Sequence, residues 1–544
     1  MSSSTFDKFY TRKDLKFSLQ TLKIFCVFVS FFWLLSTSIS GQTKCFNEDE
    51  TKKITDSISN PKKVGEIKNI KSELLKIDSN RKSLEDNILK EKNKDELIAK
   101  RRQLLREGIQ RLCTIFKENG WLKKDLLGQD GFSAEMDLIF NVDLPNIQRE
   151  FLPILISAAD KGEVKRADIA TLVDSIRITS GLPQLFGTYL TFSDGIVYLY
   201  PLENEKMVDE WRKSYELPSL NSFMREIETK YQTLVIKRNS PKRNQVSRKV
   251  DTKVLGLEED DDTIKISTKL VNVKIRVIGK DANPIQNTTF AAKDFILSED
   301  DKTQEISFFE KNKEPVDYYL ILDLSGSTAR IRETIWKTVG ILAKLLRTGD
   351  RITVLTHFDG NLRTLLDLTP DQSNITETVS QFRGLGSSSV WDALNDTFDL
   401  IEKRNFKDRG AAMILISDAI EADSKLAFGN LLNRIKENEI MIFPIQLPTD
   451  YLIEDPFASQ KRLKIAGRAF QLLAEESGGE YFNIKKDNEL LAIPEKIING
   501  LGEIFSLGFE PNGDFDGSWR QLKVKITNQN DFRVRAKTGY YAKP

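Results

Sequence analysis

Five short apolar segments alternate with amphipathic helical patterns across residues 315–507. The apolar segments are continuous, which is typical of strands that are buried on both faces of a parallel sheet. Helices between such strands cover the two faces. The pattern therefore predicts an α/β doubly wound (Rossmann-like) domain. The predicted strands are residues 318–322, 352–357, 412–416, 440–445 and 481–484, and the predicted helices begin near Arg330, Ile375, Asp392, Ser424, Ser459 and Asp487.

Strand patterns flank this domain on both sides. Apolar and polar residues alternate over residues 271–277, which predicts a half-buried strand. Neither flank is large enough to be stable alone, so we predict that residues 264–314 and 508–544 form one small β-sandwich into which the α/β domain is inserted. The other predicted strands are residues 295–297, 305–309, 519–527 and 532–541.

The chain before residue 264 has mostly helical patterns. Within residues 42–108, apolar side chains from Ile67 to Ile88 recur mostly at three- and four-residue steps in a Lys/Glu-rich background, and a charged stretch follows at 90–96. This predicts a helical arm folded as a short hairpin. Residues 109–235 combine helix patterns with Gly-Trp and Leu-Pro breaks, which predicts a mainly helical domain. Residues 236–263 contain a basic run, an acidic run and few apolar residues, so they are predicted to be a charged linker.

The composition excludes several function classes. Lys and Arg number 81 and Asp and Glu number 80, so the overall charge gives no indication of a nucleic-acid partner. One His and three Cys cannot provide both a Cys/His zinc site and a catalytic triad. Any metal is therefore expected to be held by oxygen ligands.

Residues 1–41 have the order of a secretory signal, with a basic leader, an apolar stretch and then small residues. The apolar core is shorter than the roughly 20 residues needed to span a bilayer, so we favour cleavage over a membrane anchor at residues 24–39. The expected location is secreted, periplasmic or at the cell surface. In such an oxidising compartment Cys45 and Cys113 form an even pair for a disulfide, and the alternative is that Cys113 is a buried core thiol.

Oxygen-bearing side chains follow the predicted strands at their carboxyl ends. Asp323, Ser325 and Ser327 come directly after one strand, Asp418 follows another, and residues 387–389 precede a helix. Ligands of doubly wound sheets bind at these strand ends, and carboxylate and hydroxyl oxygens suit Mg²⁺. The residues therefore predict an oxygen-only metal site. The alternative is that the serines only cap the next helix.

Two neighbouring side chains allow more than one interpretation. Asp392 could support the metal site, or it could simply favour the dipole of the helix that it starts. His357 ends the second predicted strand, and we expect a packed or partly exposed imidazole there in preference to a ligand or base.

The order of these groups resembles the von Willebrand factor A domain with its metal-ion-dependent adhesion site. The flanking strand patterns, the turn at 299–302 and the closing residues 539–541 more narrowly resemble the bacterial VWFA-related family, from about residue 266 onward. The resemblance implies Mg²⁺ (or Mn²⁺ or Ca²⁺) with one coordination position left for the carboxylate of a protein partner, in an adhesion or assembly module without catalytic residues. The implied metal ligands are Asp323, Ser325, Ser327, Asp418 and Ser388. Ser388 replaces a usual Thr, and the alternative is that the adjacent Ser387 or Ser389 supplies this oxygen.

The segment from about residue 70 to residue 224 resembles a bacterial domain family of unknown function. The resemblance is carried by residues 118–121, 151–153 and 181–188. Two polar pairs that are usual in that family are altered here, so we predict a binding or spacing module. One alternative is an enzyme in which Asp143, Asp174 and Gln184 act and the A domain serves as a docking platform. Another is an envelope scaffold without a metal-dependent ligand.

Overall fold

The protein is described by a computed structural model, whose contacts divide the chain into two compact units. The first unit contains the residues up to Leu220, and the second contains Asn221–Arg243 and the chain from Asp262 onward. The predicted signal 1–41, most of the predicted linker and Ser388 lie outside the described residues. The structure describes residues 44–59, 67–90, 94–193, 195–237, 255, 270–279, 289–312, 314–358, 360–369, 375–380, 389–406, 409–421, 423–448, 456–501, 504–511, 513, 515–528 and 531–542.

The first unit is mainly helical, as the sequence predicts. A large core among its described residues contains the buried rings of Phe116, Trp121 and Phe151. None of the helices described in either unit is long and apolar enough to cross a membrane. The helices are α1 (Glu48–Ser59), α2 (Ile67–Lys90), α3 (Asp95–Asn119), α4 (Lys124–Asn141), α5 (Pro145–Asp160), α6 (Arg166–Thr179) and α7 (Val208–Ser214), and the strands β1 (Leu190–Ser193) and β2 (Ile196–Leu199) form an antiparallel hairpin.

The predicted helical arm is not separate from this core. Helices α2 and α3 run antiparallel, because Arg101 contacts Glu85 near one end and Arg111 contacts Glu73 near the other. Their apolar residues join the same core as the residues after 109, since this is where the apolar stripe of each helix is buried. Cys45 and Cys113 are bonded as a disulfide, so Cys113 is not a free core thiol.

The second unit contains a six-stranded sheet in the order β10-β9-β8-β11-β12-β13. All neighbours in this sheet are parallel except β9 and β10. This order is that of a doubly wound sheet, which confirms the predicted fold class. The strands are β8 (Val316–Leu322), β9 (Arg351–Phe358), β10 (Asn361–Thr369), β11 (Gly410–Ser417), β12 (Met441–Gln446) and β13 (Phe482–Asn483), and the helices are α9 (Arg332–Leu345), α10 (Ile375–Ser380), α11 (Val390–Arg404), α12 (Phe428–Glu437), α13 (Pro456–Ser477) and α14 (Ile493–Leu501).

Strands from before and after the α/β domain pair with each other in two four-stranded sheets, ordered β16-β4-β14-β7 and β17-β15-β5-β6. The aromatic rings of Phe290, Phe295 and Phe505 contact one another in the core of this sandwich. Because Phe505 packs there, β14 belongs to the sandwich, and the α/β domain ends before the predicted residue 507. The strands are β4 (Val271–Gly279), β5 (Phe295–Glu299), β6 (Lys302–Gln304), β7 (Phe308–Lys311), β14 (Ile504–Phe509), β15 (Trp519–Ile526), β16 (Phe532–Ala536) and β17 (Gly539–Tyr541).

Residues 221–237, which we call the strap, belong to the second unit, whereas the predicted helical domain extends to residue 235. The strap contains most of helix α8 (Leu220–Tyr231) and strand β3 (Val235–Lys237). Met224 of α8 is fully buried, and a Cβ atom built on Gly429 of α12 would lie 2.5 Å from the carbonyl oxygen of Val235. Glycine at 429 therefore permits the backbone of the strap to approach α12.

Candidate metal site

Asp323 directly follows β8, at the carboxyl end of the six-stranded sheet. Its backbone N–H donates to the carbonyl oxygen of Ile416 over 2.9 Å, so β8 and β11 stay paired up to this point. Its Oδ2 accepts a hydrogen bond of 2.6 Å from the Ser417 hydroxyl, and its Oδ1 accepts one of 3.0 Å from the backbone N–H of Ser325. The carboxylate is therefore held by groups from two strand ends.

Ser325 and Ser327 lie beside Asp323, and their hydroxyl oxygens are 2.6 Å apart. Ser325 occupies the position before a short 3₁₀ helix, Gly326–Ile331, but its side chain makes no capping hydrogen bond. The buried Thr328 closes the turn instead, because its hydroxyl donates to the carbonyl oxygen of Asp323 over 2.8 Å. The two serine hydroxyls thus lie within hydrogen-bond distance of each other, and the Ser325 side chain does not cap the helix.

Asp418 follows β11 and is 1 % exposed. Its Oδ1 accepts a hydrogen bond of 3.0 Å from the backbone N–H of Ile420, and its Oδ2 is buried without a hydrogen-bond partner in the part of the chain that the structure describes. Burial and the nearby charge of Asp323 raise the pKa of Asp418 to about 6, and the Ser327 hydroxyl opposes this shift. The two carboxylates are therefore close enough to repel each other.

This donor set fits a hard divalent cation. Two carboxylates and two serine hydroxyls are oxygen ligands of the kind that Mg²⁺ and Mn²⁺ prefer, and a cation would compensate the buried Asp418 oxygen that lacks a partner. Among the described residues no three His, Cys, Asp or Glu side chains form a metal-holding group. Binding would therefore depend on Ser325 and Ser327 together with Asp323 and Asp418. The predicted fifth ligand, Ser388, lies outside the described residues.

Two further carboxylates link the loops around the predicted ligands: Glu421, which the sequence reasoning missed, and Asp392, for which it left a supporting role open. Glu421, three residues after Asp418, accepts a hydrogen bond of 2.8 Å from the backbone N–H of Val390 in the first turn of α11. Asp392, in that first turn, accepts hydrogen bonds from the backbone N–H groups of Lys425 and Leu426. Asp392 thus holds a neighbouring loop and is more than a helix-dipole residue, although the sequence left its role open.

His357 lies beside Asp396, which is not one of the predicted ligands. Its side chain is 5 % exposed, and its Nε2 lies 3.5 Å from Oδ2 of Asp396 on α11. No hydrogen bond to Nε2 is present within the described residues. It is a buried imidazole beside a carboxylate, which agrees with the expectation of a packed residue.

The three polar residues of the enzyme alternative lie in the first unit and have structural partners. Asp143 pairs with Arg102 and Arg106. Asp174 is fully buried and accepts hydrogen bonds from the backbone N–H groups of Leu185, Phe186 and Thr188 and from the Thr188 hydroxyl.

Gln184 has a similar structural role. Its side-chain amide is fully buried, donates to the carbonyl oxygens of Tyr189 and Tyr200, and accepts from the N–H of Tyr189. Asp174 and Gln184 therefore fix the loop between α6 and the β1–β2 hairpin. Asp143 is not part of this loop and forms ion pairs with Arg102 and Arg106 of α3.

Residues 69–237 match a family of unknown function (DUF6624). A search of curated proteins gave no match to the chain.

Several solved structures resemble the chain. An aerotolerance-related membrane protein from Bacteroides fragilis is 15 % identical, with a TM-score of 0.26, and the match covers 34 % of this chain and 98 % of the other. The von Willebrand factor domain of the type V pili tip protein Mfa5 from Porphyromonas gingivalis is 12 % identical, with a TM-score of 0.28 and coverage of 34 % and 94 %. The manganese-loaded TRAP protein from Plasmodium vivax is 16 % identical, with a TM-score of 0.26 and coverage of 42 % and 96 %.

These scores are low, so the fold assignment rests on the strand order of the sheet. Residues 69–237 therefore match the DUF6624 model, and the second unit contains a doubly wound α/β domain that is preceded and followed by strands of one β-sandwich.

Proposed function

We propose that the protein is an exported, divalent-cation-dependent protein-binding module that engages the carboxylate of a partner protein through Mg²⁺. The cation would be held by Asp323, Ser325, Ser327 and Asp418, with Ser388 as a further ligand. The observation that carries the proposal is the buried Oδ2 of Asp418, which has no hydrogen-bond partner among the described residues and lies near a second carboxylate. A buried, unpaired carboxylate oxygen is costly unless a cation or proton compensates it.

The charge of the ligand set favours a carboxylate from outside. Asp323 and Asp418 together carry two formal negative charges, which equal the two positive charges of Mg²⁺ and do not exceed them. A cation in this environment remains able to attract a further Asp or Glu, because no third protein carboxylate competes for it among the described residues. The cation would supply electrostatic attraction and one coordination position, so partner binding requires no bond to be broken.

Export is the second part of the proposal. It is supported by the Cys45–Cys113 disulfide, since structural disulfides persist mainly in oxidising compartments outside the cytoplasm. The N-terminal signal pattern of residues 1–41 is the sequence feature that agrees with this location. Adhesion and assembly are the roles that fit an exported module of this kind.

The metal part is tested by titrating the full chain with Mn²⁺ and following the free-ion signal by electron paramagnetic resonance, with Mg²⁺ as competitor. We expect saturable binding at one site in the wild type and at least a hundredfold weaker binding in Asp323→Ala. Thr338→Val is the control, because the Thr338 hydroxyl donates to the carbonyl oxygen of Thr334 within α9. Equal Mn²⁺ affinity in wild type and Asp323→Ala would contradict the proposal and favour the scaffold alternative.

The partner part is tested with arrayed peptides that contain Asp or Glu and with matched peptides that contain Asn or Gln. Binding to the acidic peptides in Mg²⁺, and its loss in EDTA and in Asp323→Ala, is the expected result. Peptide binding that survives both chelation and the substitution would show that recognition does not pass through the cation.

A further inference from the structure

The first turn of α11 is connected to the loop after Asp418 by a compact hydrogen-bond cluster. Oε2 of Glu421 accepts from the backbone N–H of Val390 over 2.8 Å and from the Ser424 hydroxyl over 2.8 Å. The Ser424 hydroxyl in turn accepts from the backbone N–H of Trp391 over 3.1 Å. Glu421 therefore holds the backbone at the start of α11, and Val390 follows Ser388 by two positions in the sequence.

The charge that faces Glu421 comes from the strap. Arg225 of α8 places one guanidinium nitrogen 3.8 Å from Oε1 of Glu421 and another 3.1 Å from Oε2 of Glu228. The Arg225 side chain is 17 % exposed and that of Glu421 is 12 % exposed. Burial raises the pKa of Glu421, and Arg225 opposes that shift, so Arg225 favours the ionised carboxylate that accepts the Val390 bond.

Glu228 fastens the strap itself. Its Oε1 accepts a hydrogen bond of 3.0 Å from the backbone N–H of Phe428, the first residue of α12, and one of 3.2 Å from the N–H of Val235 in β3. Asn221 adds a second attachment, because its side-chain oxygen accepts from the N–H of Ala427 and its side-chain nitrogen donates to the carbonyl oxygen of Lys425. The strap therefore contacts Glu421 through Arg225 and Ala427 through Asn221, so it contacts both ends of the segment that leads into α12.

We propose that Glu421 is a positioning residue of the metal site and that the strap controls it through Arg225. The proposal rests on the proposed function, since it requires that the site binds a cation. The strap lies within the DUF6624 match, so the last residues of that region would set the cation affinity of the A domain. A partner or modification that displaced the strap would release Arg225 from Glu421 and weaken cation binding without touching a metal ligand.

The first arm of the test measures Mn²⁺ affinity in the full chain by electron paramagnetic resonance. We expect Glu421→Ala to weaken binding by about tenfold or more and Arg225→Met by about fivefold, within the usual range of coupling between sites. Arg225→Lys should restore most of the affinity, because it retains the positive charge. The double variant Arg225→Met/Glu421→Ala should bind no more weakly than Glu421→Ala alone, because Arg225 acts through Glu421.

Arg434→Met is the matched control. Arg434 is 21 % exposed and, like Arg225, bridges two carboxylates, but its partners Asp399 and Glu402 lie towards the other end of α11. We expect its Mn²⁺ affinity to stay within twofold of the wild type. A loss equal to that of Arg225→Met would overturn the proposal, since any arginine that bridges two carboxylates would then have the same effect.

The second arm measures hydrogen exchange in the metal-free protein, at the backbone amides of Val390 and Trp391. Arg225→Met should accelerate their exchange, and Arg434→Met should not. If Arg225→Met leaves the Mn²⁺ affinity unchanged, the proposal is overturned, whether or not the exchange of these amides changes. If the wild type binds no Mn²⁺, the proposed function fails, and the exchange data alone report whether Arg225 orders the first turn of α11.

Discussion

The Ser417 hydroxyl donates a hydrogen bond of 2.6 Å to Oδ2 of Asp323, and this bond joins the carboxyl ends of β11 and β8. The same hydroxyl oxygen accepts a hydrogen bond of 2.9 Å from the backbone N–H of Ala419. Ser417 is fully buried, so it has fixed partners and orients the carboxylate. It stands next to Asp418 in sequence but acts on Asp323.

Ser417→Ala should therefore weaken Mn²⁺ binding by about tenfold, because a hydrogen bond to a charged group contributes about 1.5–3 kcal/mol. Calorimetric titration of the full chain measures the effect. Thr338→Val removes a buried hydroxyl of similar exposure on α9 and should leave the affinity unchanged. An unaltered Mn²⁺ affinity in Ser417→Ala would show that the Asp323 carboxylate is oriented without this bond.

The Cys45–Cys113 disulfide should stabilise the first unit. It connects the segment before α1 to α3 across 68 residues, and closing a loop of this size restricts the unfolded chain by about 2–4 kcal/mol. Thermal unfolding of the wild type should shift to lower temperature in reductant. The variant Cys45→Ser/Cys113→Ser should show the lower temperature with or without reductant, and a wild type insensitive to reductant would contradict the prediction.

Glu135 is a buried carboxyl group that should destabilise the first unit at neutral pH. It is fully buried in α4, and neither of its oxygens has a hydrogen-bond partner among the described residues. Burial, reinforced by the charge of Glu163, raises its pKa well above the usual value. Replacing such a group by an apolar side chain of similar size removes a desolvation cost of about 1–3 kcal/mol.

Glu135→Met should therefore raise the urea concentration needed to unfold the first unit. The gain should grow as pH rises, because a raised carboxyl pKa makes the wild type less stable at higher pH. Glu118→Met on the exposed face of α3 is the control and should change stability by less than about 0.5 kcal/mol. Destabilisation by Glu135→Met would instead reveal a role for the acid.

Glu228 gives the strap a defined pH dependence. Burial raises its pKa from 4.5 to about 7, against the opposing effects of Arg225 and of the backbone N–H groups of Val235 and Phe428. Below pH 4.5 the group is protonated in both the folded and the unfolded chain. Between pH 4.5 and about 7 Glu228 loses its proton in the unfolded chain but keeps it in the folded protein. The contribution of Glu228 to the free energy of unfolding therefore falls as pH rises through this range.

The free energy of unfolding of the wild type, measured relative to that of Glu228→Gln, should therefore decline through this window by up to about 3 kcal/mol. Hydrogen exchange of α12 peptides over pH 4 to 8, corrected for intrinsic rates, follows it. Parallel profiles for the two proteins would mean that Glu228 does not titrate in this range.

Local patterns were sufficient for much of the fold. The continuous apolar runs of β8, β11 and β12 are fully buried in the structure, which is why a parallel sheet could be predicted from them. Strand β10 was missed because it is an edge strand whose residues are largely half-exposed, so it lacks a continuous apolar run. The position of the strap was missed because contacts such as that of Glu228 with Phe428 join residues far apart in the chain.

The candidate site was likewise predictable only in part. Asp323, Ser325, Ser327 and Asp418 follow strands that are neighbours in the sheet, so strand order alone brings them together. The roles of Ser417 and Glu421 depend on side-chain directions that no spacing specifies. The three-residue spacing of Glu421 and Ser424 is a weak local signal for the turn that these two side chains stabilise. Nothing in the sequence links Arg225 to Glu421 or Ser424.

The β-sandwich also has a consequence for the order of folding. Val271 of β4 pairs with Phe509 of β14, and the whole α/β domain lies between them in the chain. During synthesis β4–β7 therefore emerge long before their partners, and the loop that closes this pairing costs least once the α/β domain is compact. We expect the α/β domain to fold first and the sandwich last, and its unpaired early strands to be the part of the nascent chain most exposed to aggregation.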